Sequence, residues 1–107
     1  MLMNNSDDYQ AFTRTTAKYP KETMLQYLLL GLASEVGEVH DKFKKPMRDG
    51  YDPDHQAIIK ELGDVLWYVA RIADEMGVPL SVVMFENQRK LSSRLERDVI
   101  SGSGDDR

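Results

Sequence analysis

Two short acidic motifs carry the residue types most capable of chemistry in this chain: Glu35-Val-Gly-Glu38 and Glu61-Leu-Gly-Asp64. In each, the two acids are three residues apart, which on an α-helix puts both on one face. If the helices that carry them pack antiparallel, four oxygen-bearing side chains converge. Hard divalent cations prefer such oxygens, and Mg²⁺ keeps several waters beside one or two carboxylates. Glu35, Glu38, Glu61 and Asp64 are therefore the expected ligands of Mg²⁺, with Mn²⁺ as a substitute. Four carboxylates that close destabilise a bundle unless a cation or proton offsets them. Gly37 and Gly63 occupy equivalent places, one residue before the second acid of each motif. Glycine inside a helix costs ~1 kcal/mol relative to alanine, so its expected use is close helix approach or room for a ligand. Either motif alone reads as a solvated helix face, because 18 of the 107 residues are acidic. Two matched motifs, each with an internal glycine, favour a site.

The elements that must position these acids are helices. A first helix is expected over residues 6–18, carrying Tyr9 and Phe12. Pro20 suits the first position of a second, where the missing N–H does no harm. That helix is expected to reach about Phe43, since Leu25, Leu28, Leu32, Val36, Val39 and Phe43 recur at steps of three and four. Residues 44–52 read as a loop, with Pro46 and an Asp49-Gly50 pair. Asp52 reads as the N-cap and Pro53 as the first residue of a third helix reaching about Met76. Its apolar positions include Ile58, Leu62, Val65, Leu66, Val69 and Ile72. Gly77 and Pro79 separate it from a fourth helix reaching about Arg97. No alternating run demands a strand. The expected fold is all-α: a four-helix antiparallel bundle in a single domain over residues 1–107, with a Gly/Ser/Asp-rich tail from about 101.

Composition narrows the classes. The length suits one domain, and 41% hydrophobic with 30% charged residues suits a folded, soluble one. With no cysteine, thiolate metal sites and thiol nucleophiles are excluded. The formal net charge of −4 argues against a nucleic-acid polymer as partner. A small anionic substrate remains compatible with it, since a metal and a few local cations can hold a triphosphate on an acidic protein. The apolar stretch from Leu25 to Ala33 is too short for a membrane span. Residues 1–8 lack a basic segment followed by an apolar one, so no secretory leader is expected and the expected location is the cytoplasm.

The order Glu-x-x-Glu, 22 residues, then Glu-x-x-Asp resembles the MazG-like branch of the all-α nucleoside triphosphate pyrophosphohydrolases. The resemblance implies binding of Mg²⁺ by the paired motifs and cleavage of a nucleoside triphosphate to monophosphate and pyrophosphate. Residue by residue, Glu35, Glu38, Glu61 and Asp64 take the place of metal ligands and catalytic carboxylates. The family often has two adjacent acids at the first motif, whereas here Ser34 precedes Glu35, which leaves the number of metals open. Asn87, Lys90 and Arg94 form a polar stripe on the fourth helix. The resemblance implies that Lys90 and Arg94 contact phosphates, with Asn87 bonding sugar or phosphate; without it, the stripe reads as a solvated cationic face. The tail Gly102-Ser103-Gly104-Asp105 is similar to endings in some members, where backbone N–H groups can cradle phosphate; its composition alone reads as a disordered end.

The remaining candidates are less specific. Lys42 and Lys45 continue the acidic face of the second helix and either reach a triphosphate or cap a helix C-terminus. Trp67 and Tyr68 read as core more readily than as a base-stacking surface, and Gln26 is a weak candidate for reading a base edge. His40 and His55 have no metal-ligand spacing. The short chain and the broad apolar faces of the second and third helices, together with the resemblance, imply a homodimer or homotetramer. The expected function is nucleotide-pool housekeeping on an NTP or dNTP. The alternatives are phosphoribosyl-ATP pyrophosphohydrolysis within the same superfamily, or a non-catalytic helical interaction module.

Overall fold

The structure, a computed structural model, describes residues 5–106. Met1 to Asn4 of the stretch read for a leader lie outside the described residues, as does Arg107 of the tail. The described residues form four helices and no strand: α1 (Ser6–Thr13), α2 (Met24–Asp49), α3 (His55–Glu75) and α4 (Leu80–Glu96), with a short 3-10 turn at Arg14–Thr16. None is long and apolar enough to cross a membrane.

Several boundaries differ from the sequence reading, each for a local reason. Asn5 caps α1 by accepting a hydrogen bond from the Asp8 N–H at 2.9 Å, as expected of an N-cap. The first helix then tightens to the 3-10 turn and stops short of Lys18. Pro20 does not open α2, which begins four residues later behind Thr23. The residue before a proline is driven to extended backbone. That residue, Tyr19, is also fixed by its hydroxyl, which bonds to Glu75, and by its ring, which stacks on Tyr27 at 5.6 Å. At the other end α2 runs through the expected loop, taking in Lys44, Lys45 and Pro46 to end at Asp49. Pro46 lies in the last turn, where it removes a single hydrogen bond. Gly50 then stops the helix in the left-handed region (φ 76°), its N–H bonded to the Pro46 carbonyl at 2.8 Å. The N-cap of α3 is Asp54 rather than Asp52, because its carboxylate accepts from both the Gln56 and Ala57 N–H groups.

The centre of the fold is the α2–α3 hairpin, closed by the short segment 50–54. Helix α1 packs on α3 and on α4, while α2 and α4 do not pack substantially on each other among the described residues. Gln10, 3% exposed, is the staple that joins α1 to the α3–α4 turn. Its amide donates to the Ala70 and Val78 carbonyls and its oxygen accepts from the Leu80 N–H. Asp7 takes up the Ser81 N–H and hydroxyl at 2.9 and 2.7 Å. Side chains of α1 thus satisfy the otherwise orphan donors at the start of α4.

One chain leaves much apolar surface uncovered. Leu28, Ala70, Ala73, Leu80 and Ile58 make up the buried apolar core, whereas Leu30, Met47, Ile59, Leu66, Phe85 and Leu95 are exposed. The radius of gyration is 16.7 Å, against about 13 Å for a compact chain of this length. The accessible surface is 8043 Å², against roughly 6,100 Å² for a globular monomer of this mass.

A buried ion network ties α3 to the segment before α2. Arg71, 3% exposed, donates to Asp74 at 2.8 Å, Glu75 at 2.9 Å, the Tyr19 hydroxyl and the Thr13 hydroxyl. Arg14 adds two bonds to Asp74, at 2.9 and 2.7 Å. The Arg14 bonds, and then those of Arg71, depress the Asp74 carboxyl from 3.8 to about 2 against the opposing effect of burial. A depressed carboxyl stabilises the fold above its unfolded pKa and loses that contribution as pH falls through the folded value. Asp74→Asn is therefore expected to cost on the order of 2 kcal/mol at neutral pH, because it leaves buried Arg71 short of an anion. In urea unfolding, the gap to wild type should narrow as pH drops from 3.8 towards about 2. A gap independent of pH would assign the effect to packing instead.

Candidate active site

The α2–α3 hairpin brings the two acidic motifs to one place. Carboxylate oxygens of Glu35, Glu61 and Asp64 all lie within 4.8 Å of one another. Glu35 comes from the middle of α2; Glu61 and Asp64 come from successive turns of α3. Glu38, a turn along α2 from Glu35, is exposed and lies outside this trio. The Glu35 carboxyl is pushed above its ordinary value, first by burial, then by the charge of Asp64, a hydrogen bond and charge from Glu61, and the charge of Glu38. Neighbouring anions and partial desolvation favour a proton on Glu35, and a cation would offset the same repulsion. The donor set is all oxygen, the chemistry that suits Mg²⁺ or Mn²⁺.

Around the trio the sequence expectations divide. Lys42 stands beside the acids, with Nζ 3.9 Å from a Glu61 oxygen. Lys45 pairs with Asp41 at 3.9 Å, in a small recess shared with Lys42, Pro46, Tyr51 and Asp54. Tyr68 borders the trio: burial, then Tyr27, and then the charges of Glu35 and Asp64 raise its phenol. Burial and then the charge of Asp64 do the same to Tyr9. Trp67 meets Tyr68 edge to face at 4.9 Å and donates its indole N–H to the Thr16 hydroxyl at 2.8 Å. This pair thus helps to hold α3 against the neighbouring elements.

Of the two uses expected of the motif glycines, close helix approach is not the one found. A Cβ added at Gly37 or Gly63 would meet nothing within 4 Å, so neither mediates close helix packing. Both face open space. The close approach is at Gly31, where a Cβ would collide with the Tyr68 ring. Sequence reasoning missed Gly31 because it stands outside both acidic motifs. Arg71 was legible only as a charge among apolar neighbours, and Gln10 carried no signal.

The cations of α4 are not brought to the carboxylates within one chain. Asn87, Lys90 and Arg94 line a separate cavity of about 690 Å³ between α4 and the tail. There Lys90 Nζ lies 3.2 Å from an Asp105 oxygen. Arg94 is 4% exposed and donates from Nη2 to the Gly104 and Asp105 carbonyls and to the Asp105 carboxylate. Its Nε is buried without a hydrogen-bond partner. The tail therefore has a definite place against α4.

A family model described as the MazG nucleotide pyrophosphohydrolase domain matches residues 20–98, a span that holds both acidic motifs and the α4 cations. The chain is 41% identical over 111 residues to the "Gene 37 protein" of Mycobacterium phage L5, covering 94% of this chain and 97% of that protein. No solved structure gives a significant match.

Proposed function

Because the chain belongs to the MazG nucleotide pyrophosphohydrolase family, we propose that it hydrolyses a nucleoside triphosphate to the monophosphate and pyrophosphate. The observation that carries the reading is the trio of carboxylates from two helices, with oxygens within 4.8 Å of each other. Glu35, Glu61 and Asp64 would hold Mg²⁺, with Glu38 completing the set; Mn²⁺ is the expected substitute. In that place the metal supplies Lewis-acid activation of water and charge neutralisation on the phosphates. The chain's own contribution is positional. The hairpin fixes the acids before substrate arrives, so less ordering is required in the reaction. Lys42, beside Glu61, is set to meet a phosphate arriving at the acids. Lys45, Asn87, Lys90 and Arg94 are the further substrate contacts, and Arg is suited to bidentate phosphate binding.

The carboxylates and the α4 cations line different places on one chain, and we assign their union to a homo-oligomer. The surplus accessible surface and the exposed apolar residues of α2, α3 and α4 support a second copy packing there. Two-fold closure is the commonest such arrangement.

Product chromatography over a panel of NTPs and dNTPs is the direct test. Monophosphate and pyrophosphate are expected, with turnover lost on chelation and nearly abolished by Glu61→Gln and Asp64→Asn at unchanged helix content. Diphosphate and inorganic phosphate as initial products would overturn the assignment. Turnover confined to phosphoribosyl-ATP would move it to that branch of the superfamily, and no turnover at all would favour an interaction module.

Hybrid oligomers test the shared site. Glu61→Gln and Lys90→Ala subunits are each expected to be nearly inactive alone. Refolded together as a dimer, they should regain roughly a quarter of wild-type activity, because one of the two sites in each hybrid is then intact. No regain on mixing would place acids and cations in the same chain's site.

A further inference from the structure

We propose that the C-terminal tail is a built-in strap over α4, with the Asp105 carboxylate standing where a phosphate group of the substrate would bind. This rests on the reading of Lys90 and Arg94 as phosphate contacts and adds an internal competitor to it. After α4, Asp98 turns the chain in the left-handed region (φ 56°), and the Val99 N–H bonds back to the Arg94 carbonyl at 2.8 Å. The tail then lies along the cavity that Asn87, Lys90, Ser93 and Arg94 line. One Asp105 oxygen is 3.2 Å from both Lys90 Nζ and Arg94 Nη2. Two cations converging on one anionic oxygen is the arrangement that a phosphate oxygen would demand.

The fit of the strap is incomplete in a way that favours exchange. A guanidinium is shaped to give two parallel bonds to an anion. The tail engages Nη2 of Arg94, while the buried Nε has no partner. A phosphate group has acceptor oxygens enough to meet Lys90 Nζ and Arg94 Nη2 on separate atoms, where Asp105 offers both the same oxygen. The Asp105 side chain is 81% exposed, so solvent weakens its hold. Pairing with Lys90 and then Arg94 keeps its carboxyl below the usual range, so the strap remains anionic at any ordinary pH. A polyphosphate that brings several anionic oxygens therefore displaces a single carboxylate.

Calorimetric binding of inorganic tripolyphosphate in the presence of chelator tests this without turnover. Asp105→Asn is expected to tighten binding about threefold to fivefold, the contribution of an exposed ion pair. Asp106→Asn removes the same charge from the same tail and should change affinity by less than about twofold. In wild type, tripolyphosphate should also speed proteolytic cleavage of the tail. Lys90→Ala should weaken binding. Unchanged or weaker binding by Asp105→Asn, with Lys90→Ala still impaired, overturns the strap and leaves the phosphate site standing. Equal gains from both Asp variants also overturn the strap, since any tail charge would then do. Full affinity in Lys90→Ala removes the phosphate site and the strap with it.

Discussion

Carboxylates repel one another, and an α-helical hairpin that forces three of them within 4.8 Å holds that repulsion in its folded state. Glu35, Glu61 and Asp64 are kept together by the packing of α2 on α3. Burial first, and then the charge of Asp64 with the bond and charge of Glu61, raises the Glu35 carboxyl. In the proposed site a divalent cation would offset that repulsion, so the same charge arrangement would favour a cation there. The rest of the chain supports that hairpin. Arg71, Asp74 and Arg14 lock the far end of α3 to the segment before α2, and Gln10 with Asp7 anchor the start of α4.

The fold and the site were legible to different depths. Periodic apolar residues identified the second and third helices, since burial of one helix face forces that spacing, and proline and glycine marked off the others. The paired acids were visible because the i, i+3 relation is local. Convergence of Glu35, Glu61 and Asp64 needed only a short antiparallel connection, while Glu38 stays outside the trio. Ends were less legible. Pro20 and Pro46 each have two valid readings from local rules. Tertiary contacts of Tyr19 and the αL stop at Gly50 decided between them.

Long-range polar contacts could not be read from local pattern. Gln10 meets residues 60 to 70 positions away, and Arg71 meets Thr13 and Tyr19 across 58 and 52 positions. No spacing rule connects such pairs. The internal glycines of the acidic motifs suggested tight packing or ligand room, and only three-dimensional placement shows that the close contact is at Gly31. The α4 stripe was visible as a stripe. Its engagement by Asp105 depends on the reversal at Asp98, a left-handed residue that composition does not announce.

In the proposed site Glu35, Glu61 and Asp64 hold a divalent cation. Anomalous diffraction from crystals grown with Mn²⁺ measures this most directly. A Mn²⁺ peak bonded to oxygens of all three residues, lost in Glu61→Gln, is the result the account predicts. Crystals saturated with Mn²⁺ that show no peak there, or a peak bonded only to other acids, would contradict it.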